Sequence, residues 1–411
     1  MNIIDELKNR GILNNVSNVE KMLKLTSANV GVYAGFDPSA DSLHLGNYIL
    51  ISILKRFAQF GYKVYALIGG ATGMIGDPSF RDTERVLLDK KQVIDNKNKI
   101  KVQLESFGLK VIDNLDFYQN VSILDFLKDT GKLVNVNYML AKDSVKNRLE
   151  RGLSFTEFTY QLLQGNDFLK LYQNEGVFIQ VGGSDQWGNI TTGLDMISKV
   201  VGDNHKGVAV TVNLLTDENG KKIGKSYGGG ALWIDKFKTS PYNMYQYLVN
   251  QSDLKVGELL NWLTFIPVDE IKTIIEKHNQ NPAEHYAQKI LADSVVADLY
   301  GNKELQQAQN ITKILFDKNF DTSVLTVEDL EIIENYLPTV KITKGEKIVE
   351  TLIKNNLIQS NREAREMIQT GALKIDNHSI DLDSIYEPNN FSGKYAFFKK
   401  GKKQTILLKT V

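Results

Sequence analysis

The feature that most restricts the fold is an alternation running through the first ~210 residues. Short apolar runs that suit buried strands trade places with amphipathic stretches that suit helices. Residues 30–35, 64–69 and 177–181 read as strands, and residues 46–59, 84–107 and 155–172 as helices. Strands that alternate with helices imply a parallel sheet covered on both faces. Ligands of such sheets bind beyond the carboxyl ends of the strands. Glycines of this chain fall there: Gly35, the cluster from Gly69 to Gly76, and Gly182-Gly183.

The pattern changes after Asp235. Residues 239–315 keep helical periodicity without strand alternation, with Pro241 near a helix start and Asn281-Pro282 as a break. Residues 316–345, with Asn335, Pro338 and Gly345, read as a linker. The tail then shows two short helices, 346–355 and 361–369, with Ser360 as N-cap and Gly371 as C-cap. Residues 373–375 and the segment from Ser379 flank a polar Asp-Asn-His turn, so a small sheet follows the helices.

A chain of 411 residues is too long for one ordinary core, in keeping with several domains. No apolar run approaches the ~18–20 residues of a membrane span, and the first residues lack the pattern of a signal peptide. Zero cysteines exclude disulfides and thiolate metal sites and suit a reducing cytoplasm. The five histidines form no ligand cluster, so no tightly bound metal is expected. The net charge is zero but unevenly spread. Residues 341–411 hold 13 Lys/Arg against 8 Asp/Glu, net +5, which leaves −5 on the rest. A basic tail on an acidic body suits a polyanion, or simply a solvated surface.

Five constellations carry chemistry. In the first, an apolar strand containing Tyr33 runs through Gly35, Asp37 and Ser39 to His44-Leu45-Gly46-Asn47, where a helix begins. Backbone N–H groups at a glycine turn and helix start form an anion site; the competing reading is a tight turn. The second, Gly69-Gly70-Ala71-Thr72-Gly73-Met74-Ile75-Gly76-Asp77, lacks the glycine spacing of a dinucleotide site. It ends in a carboxylate suited to an ammonium group, although a crowded helix–sheet junction explains some of its glycines. In the third, Tyr160, Gln164 and Asp167 share one face if 155–172 is a helix. They are either a buried polar set that needs partners or a solvated face. The fourth runs from Gln180 through Gly183, Asp185 and Gln186, again after a strand. The fifth, Gly220-Lys221-Lys222-Ile223-Gly224-Lys225-Ser226, has one residue too few between its glycines for a P-loop. It suits a pyrophosphate or an ordinary basic loop.

In order and spacing these segments resemble the tyrosyl-tRNA synthetases, which are class I synthetases. The signature "HIGH" stands here as His44-Leu45-Gly46-Asn47, and "KMSKS" as Lys222-Ile223-Gly224-Lys225-Ser226. The segments GGSDQWGNI and FTEFTYQLLQGNDF are specific to the tyrosyl branch, and the tail resembles a small RNA-binding fold named after a ribosomal protein. The resemblance implies a Rossmann-like α/β catalytic domain over 1–212, a loop and connector over 213–238, an all-helical anticodon-side domain over 239–315, a linker over 316–345, and a small α+β RNA-binding domain over 346–411. A tryptophanyl-type synthetase shares the nucleotide signatures but not this tail. A synthetase-derived RNA-binding factor is the other alternative.

The same resemblance implies residue roles. Tyr33 and Asp167 would take a tyrosine phenol; Asp77, Tyr160 and Gln164 its ammonium, supported by Gln180; and Gln186 would lie near its carboxylate. Gly35, Gly183 and Asp185 would face the ATP ribose, and the Asp37 backbone the α-phosphate. Ser39, His44, Arg81, Arg85, Lys222, Lys225 and Ser226 would hold the β- and γ-phosphates, and Gly46 and Asn47 would also bind ATP, Asn47 at the ribose or a phosphate. Mg2+ would arrive with ATP, and the partners would be ATP, L-tyrosine, tRNA(Tyr) and a second copy of the chain. The chain departs from the family in Asn47, which replaces the second signature histidine, and in Ala34 and Leu50, which lack groups that touch the ribose elsewhere. Arg81 replaces a common lysine, and an extra glycine follows the lysine loop.

Overall fold

The computed structural model describes residues 2–79, 88–142, 145–146, 152–216, 231–316, 322–401 and 404–411. By contacts the chain divides into two compact units, one of Met1–Ser240 with Tyr247–Val295, the other of Pro241–Gln246 with Val296–Val411.

The first unit is organised by a six-stranded sheet. Its strands are β1 (Leu13–Val16), β2 (Gly31–Phe36), β3 (Lys63–Ile68), β4 (Lys110–Asp113), β5 (Val177–Gly183) and β6 (Val208–Val212), in the order β1-β6-β5-β2-β3-β4. All neighbours are parallel except β1, which runs antiparallel to β6 at the edge. Central strands of a parallel sheet are covered on both faces, and β6 is buried at every position while β2 is buried everywhere except Gly35.

The order of connection creates the site. From β2 the chain moves outward through β3 to β4, then crosses back to β5 on the other side of β2. The carboxyl ends of β2 and β5 therefore flank a reversal in strand order, the place where such sheets open a crevice. Two helices supply part of its walls, Leu45–Gln59 and Phe155–Glu175. Leu45–Gln59 follows β2, and Lys90–Ser106 is capped by the Asp89 side chain. Phe155–Glu175 starts at the Ser154 cap and ends at Gly176. A second helical stretch begins at Pro241, as its sequence suggests, with helices Pro241–Val249, Asp253–Leu263, Val268–Gln280, Tyr286–Tyr300 and Asn302–Phe316. The expected break at Asn281-Pro282 is a short 3-10 turn.

In the second unit a five-stranded sheet has the order β7-β11-β10-β8-β9, built from β7 (Thr339–Ile342), β8 (Leu373–Ile375), β9 (His378–Ser379), β10 (Tyr395–Lys400) and β11 (Gln404–Thr410). Helices Ile348–Lys354 and Asn361–Gln369 bury Val349, Leu352 and Ala364 in a core shared with Phe398 and Leu408. Ser360 caps the second helix through the Glu363 N–H. The cap at its other end is displaced by one residue: Thr370 is the C-cap, and Gly371 follows it with φ +66°. The Asp-Asn-His turn is a tight hairpin in which Asp376 and Asn377 both have positive φ, while His378 already pairs with Ile375. Residues 316–345 are more than a linker. They contain helix Val327–Ile333 and strand β7, which pairs in parallel with β11. Four residues of alternation are too few to identify such a strand from sequence.

Candidate active site

One cavity of about 300 Å³ opens at the carboxyl ends of β2 and β5. Tyr33, Gly35, Asp37, Ser39, His44, Gly46, Asn47, Asp77, Tyr160, Gln164, Asp167, Gln180, Gly183, Asp185 and Gln186 all line it. These are all the predicted site residues that the structure describes. Arg81, Arg85, Lys222, Lys225 and Ser226 lie outside the described residues.

The sheet register explains part of this convergence. Tyr33 pairs with Gln180 across β2 and β5, so the two side chains leave the same face of adjacent strands. Tyr33 is 1% exposed and its ring lies 5.6 Å from that of Phe168. Its hydroxyl has no hydrogen-bond partner among the described residues, nor do Gln164 Oε1 and Gln180 Oε1, though all three atoms are buried. Burial, with the Asp167 charge close by, raises the Tyr33 phenol well above its ordinary range, so it stays neutral.

Asp167 is the centre of a polar chain. Its two oxygens accept from Tyr118 Oη at 2.6 Å and from Asn114 Nδ2 at 2.9 Å. Burial pushes its carboxyl up to about 7, against the pull of those two donors. Asn114 also donates to Thr72 Oγ1 at 3.1 Å, Thr72 donates to Asp37 Oδ1 at 2.8 Å, and Tyr160 donates to Asp37 Oδ2 at 2.8 Å. Asp37 therefore joins β2 to the long helix through its side chain, a use the sequence did not suggest. The close approach explains Gly69: a Cβ there would lie 2.1 Å from Asp37 Oδ1 and 2.3 Å from Thr72 Oγ1. Asp77 follows Gly76, whose φ of +85° suits glycine, and accepts from Gln186 Nε2 at 2.8 Å.

The remaining lining is built from a helix terminus. His44 caps helix Leu45–Gln59 in extended backbone, and its N–H donates to Asn47 Oδ1 at 3.0 Å. That bond occupies the Asn47 side-chain oxygen. Where a Cβ of Gly35 would point, the space is open for 4 Å.

Sequence reasoning missed Thr72, Asn114 and Tyr118. Thr72 sat in a segment read only for its glycines and its carboxylate. Asn114 directly follows β4, and its place beyond a strand end was the signal that could have found it. Tyr118 offers no such signal, because it reaches Asp167 from an irregular turn.

Chemically, the lining combines a buried polar pocket of aromatic size with a helix start suited to phosphate. The chain is similar to known proteins. Residues 25–317 match the family model described as tRNA synthetases class I (W and Y), and residues 329–408 match that of the tyrosine–tRNA ligase SYY-like C-terminal domain. The chain is 66% identical over 411 residues to the tyrosine–tRNA ligase of Mycoplasmopsis agalactiae, covering 100% of both chains. It is 54% identical to that of Mycoplasmopsis synoviae, covering 99% of each. Among solved structures, a C-terminally truncated mitochondrial tyrosyl-tRNA synthetase of Aspergillus nidulans aligns with TM-score 0.68 and 31% identity, over 77% of this chain and 94% of that one.

Proposed function

The chain belongs to the tyrosine–tRNA ligases among the class I tRNA synthetases, and on that premise we infer how its cavity is used. It is an aminoacyl-tRNA synthetase that joins tyrosine to tRNA. The observation that carries the reading of the site is the set of three buried, unpartnered oxygens, on Tyr33, Gln164 and Gln180, around one cavity. Unpaired buried polar groups cost roughly 1–3 kcal/mol each, so a ligand that supplies partners is bound at their expense. Tyrosine supplies them. Its phenol donates to Asp167 and meets Tyr33, and its ammonium lies among Asp77, Tyr160 and Gln164 with Gln180 behind. Gln186, which already holds Asp77, serves the carboxylate side.

ATP occupies the rest. Gly35, Gly183 and Asp185 face the ribose, the Asp37 backbone meets the α-phosphate, Gly46 and Asn47 bind ATP at the helix start, and Ser39 and His44 serve the β- and γ-phosphates. Arg81, Arg85, Lys222, Lys225 and Ser226 complete that group. Mg2+ enters with ATP as part of the substrate. The tyrosine carboxylate attacks the α-phosphorus in line; the bond to the bridging oxygen breaks and pyrophosphate leaves with its charge. The terminal ribose hydroxyl of tRNA(Tyr) then attacks the adenylate and releases AMP. No covalent link to the protein is needed, so the protein contributes position and stabilisation of the charge that develops on the phosphates.

Selection against phenylalanine rests on Tyr33 and Asp167. A site built to hydrogen-bond a hydroxyl leaves buried groups unpaired when the hydroxyl is missing, a rule for which this enzyme family is itself the usual illustration. Residues 1–212 carry catalysis, 213–238 the lysine loop and connector, 239–315 the anticodon side, and 346–411, with β7 of the former linker, the RNA-binding tail. Charge supports that role: the net +5 of residues 341–411 suits tRNA phosphates. The exposed side chains of Ile123, Leu124, Val136 and Phe155 support a homodimer, and zero cysteines suit the cytoplasm. ATP–pyrophosphate exchange with each of the twenty amino acids tests the site. Tyrosine alone is expected to support it; exchange driven by another amino acid overturns the assignment.

A further inference from the structure

His44 is held by more than its own helix. Segment 232–234 lies beside it as a short antiparallel strand: Leu45 N–H donates to Leu232 O and Ile234 N–H to Leu43 O, each at 2.8 Å, with His44 opposite Trp233. The two rings lie 6.4 Å apart at 55°. Behind Trp233, Lys238 Nζ sits 5.3 Å from its ring centroid and pairs with Asp41 Oδ1 at 2.5 Å. The other Asp41 oxygen pairs with Lys99 Nζ at 3.0 Å. Further bonds close the strap. Trp233 N–H donates to Thr239 Oγ1 at 2.9 Å, and Asp235 N–H to Ser42 Oγ at 3.3 Å. From helix Lys90–Ser106, Gln103 Oε1 accepts from Leu43 N–H at 2.8 Å. The backbone leading into His44 is thus fixed on both sides by groups that do not line the cavity.

We propose that Trp233, backed by Lys238 and Asp41, is a positioning residue for adenylate formation, fixing the direction in which His44 meets the ATP phosphates. The proposal rests on the reading that His44 serves those phosphates. Its basis is geometric rather than Coulombic. Lys238 and Asp41 are about one-third exposed, and surface ion pairs contribute little energy. What they do is seat the indole and strap against the residue whose aim matters, where a misplacement of about 1 Å costs roughly a hundredfold in rate.

The test measures single-turnover adenylate formation and equilibrium tyrosine binding on the full-length protein. Trp233→Leu is expected to slow adenylate formation by about tenfold or more, with tyrosine affinity unchanged. Trp233→Phe, which keeps an aromatic face, recovers most of the rate. In a His44→Ala background the loss caused by Trp233→Leu shrinks to less than about twofold, because residues that act through one another are not additive. Asp41→Asn, which keeps the indole but loosens its seat, gives a smaller loss of the same kind and serves if Trp233→Leu does not fold. An unchanged rate, an equal fall in tyrosine affinity, or losses that multiply with His44→Ala each overturn the proposal. A wild-type protein without tyrosine-dependent exchange overturns instead the reading of the site.

Discussion

Around Asp167 the cavity is built in advance, by side chains that already bond to one another; around His44 it is built from a helix start. In the first part Tyr118, Asn114, Thr72, Asp37 and Tyr160 form a continuous chain with bonds of 2.6–3.1 Å. In the second the described groups are backbone N–H donors, His44 and the capping Asn47, and the cations of the reading (Arg81, Arg85, Lys222, Lys225) come from elsewhere. The difference matches two tasks. Telling a phenol from a phenyl ring needs desolvated partners that do not move. Expelling pyrophosphate needs charge that acts in the transition state and then lets the product go.

The largest expected effect breaks the comparison at its phosphate side. Lys222→Ala or Lys225→Ala should slow adenylate formation by about a hundredfold, the usual loss when one donor to developing negative charge is removed. Equilibrium tyrosine affinity should stay within about twofold, because those lysines act after tyrosine is bound. Single-turnover kinetics beside equilibrium binding decides. A matched fall in tyrosine affinity would merge the two parts of the cavity into one.

Next is Asp167→Asn, which keeps the shape and removes the charge. Hydrogen bonds to a charged group contribute about 1.5–3 kcal/mol, so kcat/KM for tyrosine should fall by about ten- to a hundredfold, while the KM for ATP holds. Steady-state kinetics with each substrate varied in turn checks both. Equal losses for ATP and tyrosine would mean that Asp167 supports the whole cavity and not the phenol.

Asp167 also predicts opposite pH trends for folding and binding. Its carboxyl stands at about 7 in the folded protein, above its unfolded range. A group raised in this way stabilises the fold fully below its unfolded pKa, and that contribution is lost as pH rises through about 7. Tyrosine needs the ionised acceptor, so its affinity should fall by up to about tenfold per unit as pH drops below about 7. Titrations of tyrosine binding and of thermal unfolding from pH 5.5 to 8.5, about three units spanning that value, test both signs. Asp167→Asn should flatten both curves. A flat wild-type binding curve would remove the phenol from Asp167.

How much of this was legible follows from which interactions are local in sequence. Strand ends and helix starts are local, so the β2 turn, the helix at Leu45 and the face of Tyr160, Gln164 and Asp167 could be read from spacing. The Tyr33–Gln180 register is not local, yet both positions came from the family motif, which stores the tertiary answer. What stayed hidden was mutual support. Nothing near Asn114 in the sequence points to Asp167, 53 residues away, and nothing near Trp233 points to His44. Strand β7 was hidden for another reason: its partner β11 lies at the far end of the tail.

Tyr33→Phe carries the smallest effect and the sharpest one. The Tyr33 hydroxyl is buried without a partner among the described residues, so it costs the free protein roughly 1–3 kcal/mol of desolvation that no described residue offsets. Removing it should leave thermal stability unchanged or raise it, although a 1% exposed core tyrosine would ordinarily be expected to destabilise when altered. Bound tyrosine loses one neutral hydrogen bond, about 0.5–1.5 kcal/mol, so kcat/KM for tyrosine should fall by about two- to tenfold. Activation of phenylalanine should hold or rise, since the pocket no longer contains an oxygen that phenylalanine leaves unpaired. Thermal unfolding without ligand, set beside exchange kinetics for the two amino acids, reads both consequences from one variant. A fall in stability with an unchanged tyrosine-to-phenylalanine ratio would make Tyr33 a core residue, and selection of the phenol would rest on Asp167 alone.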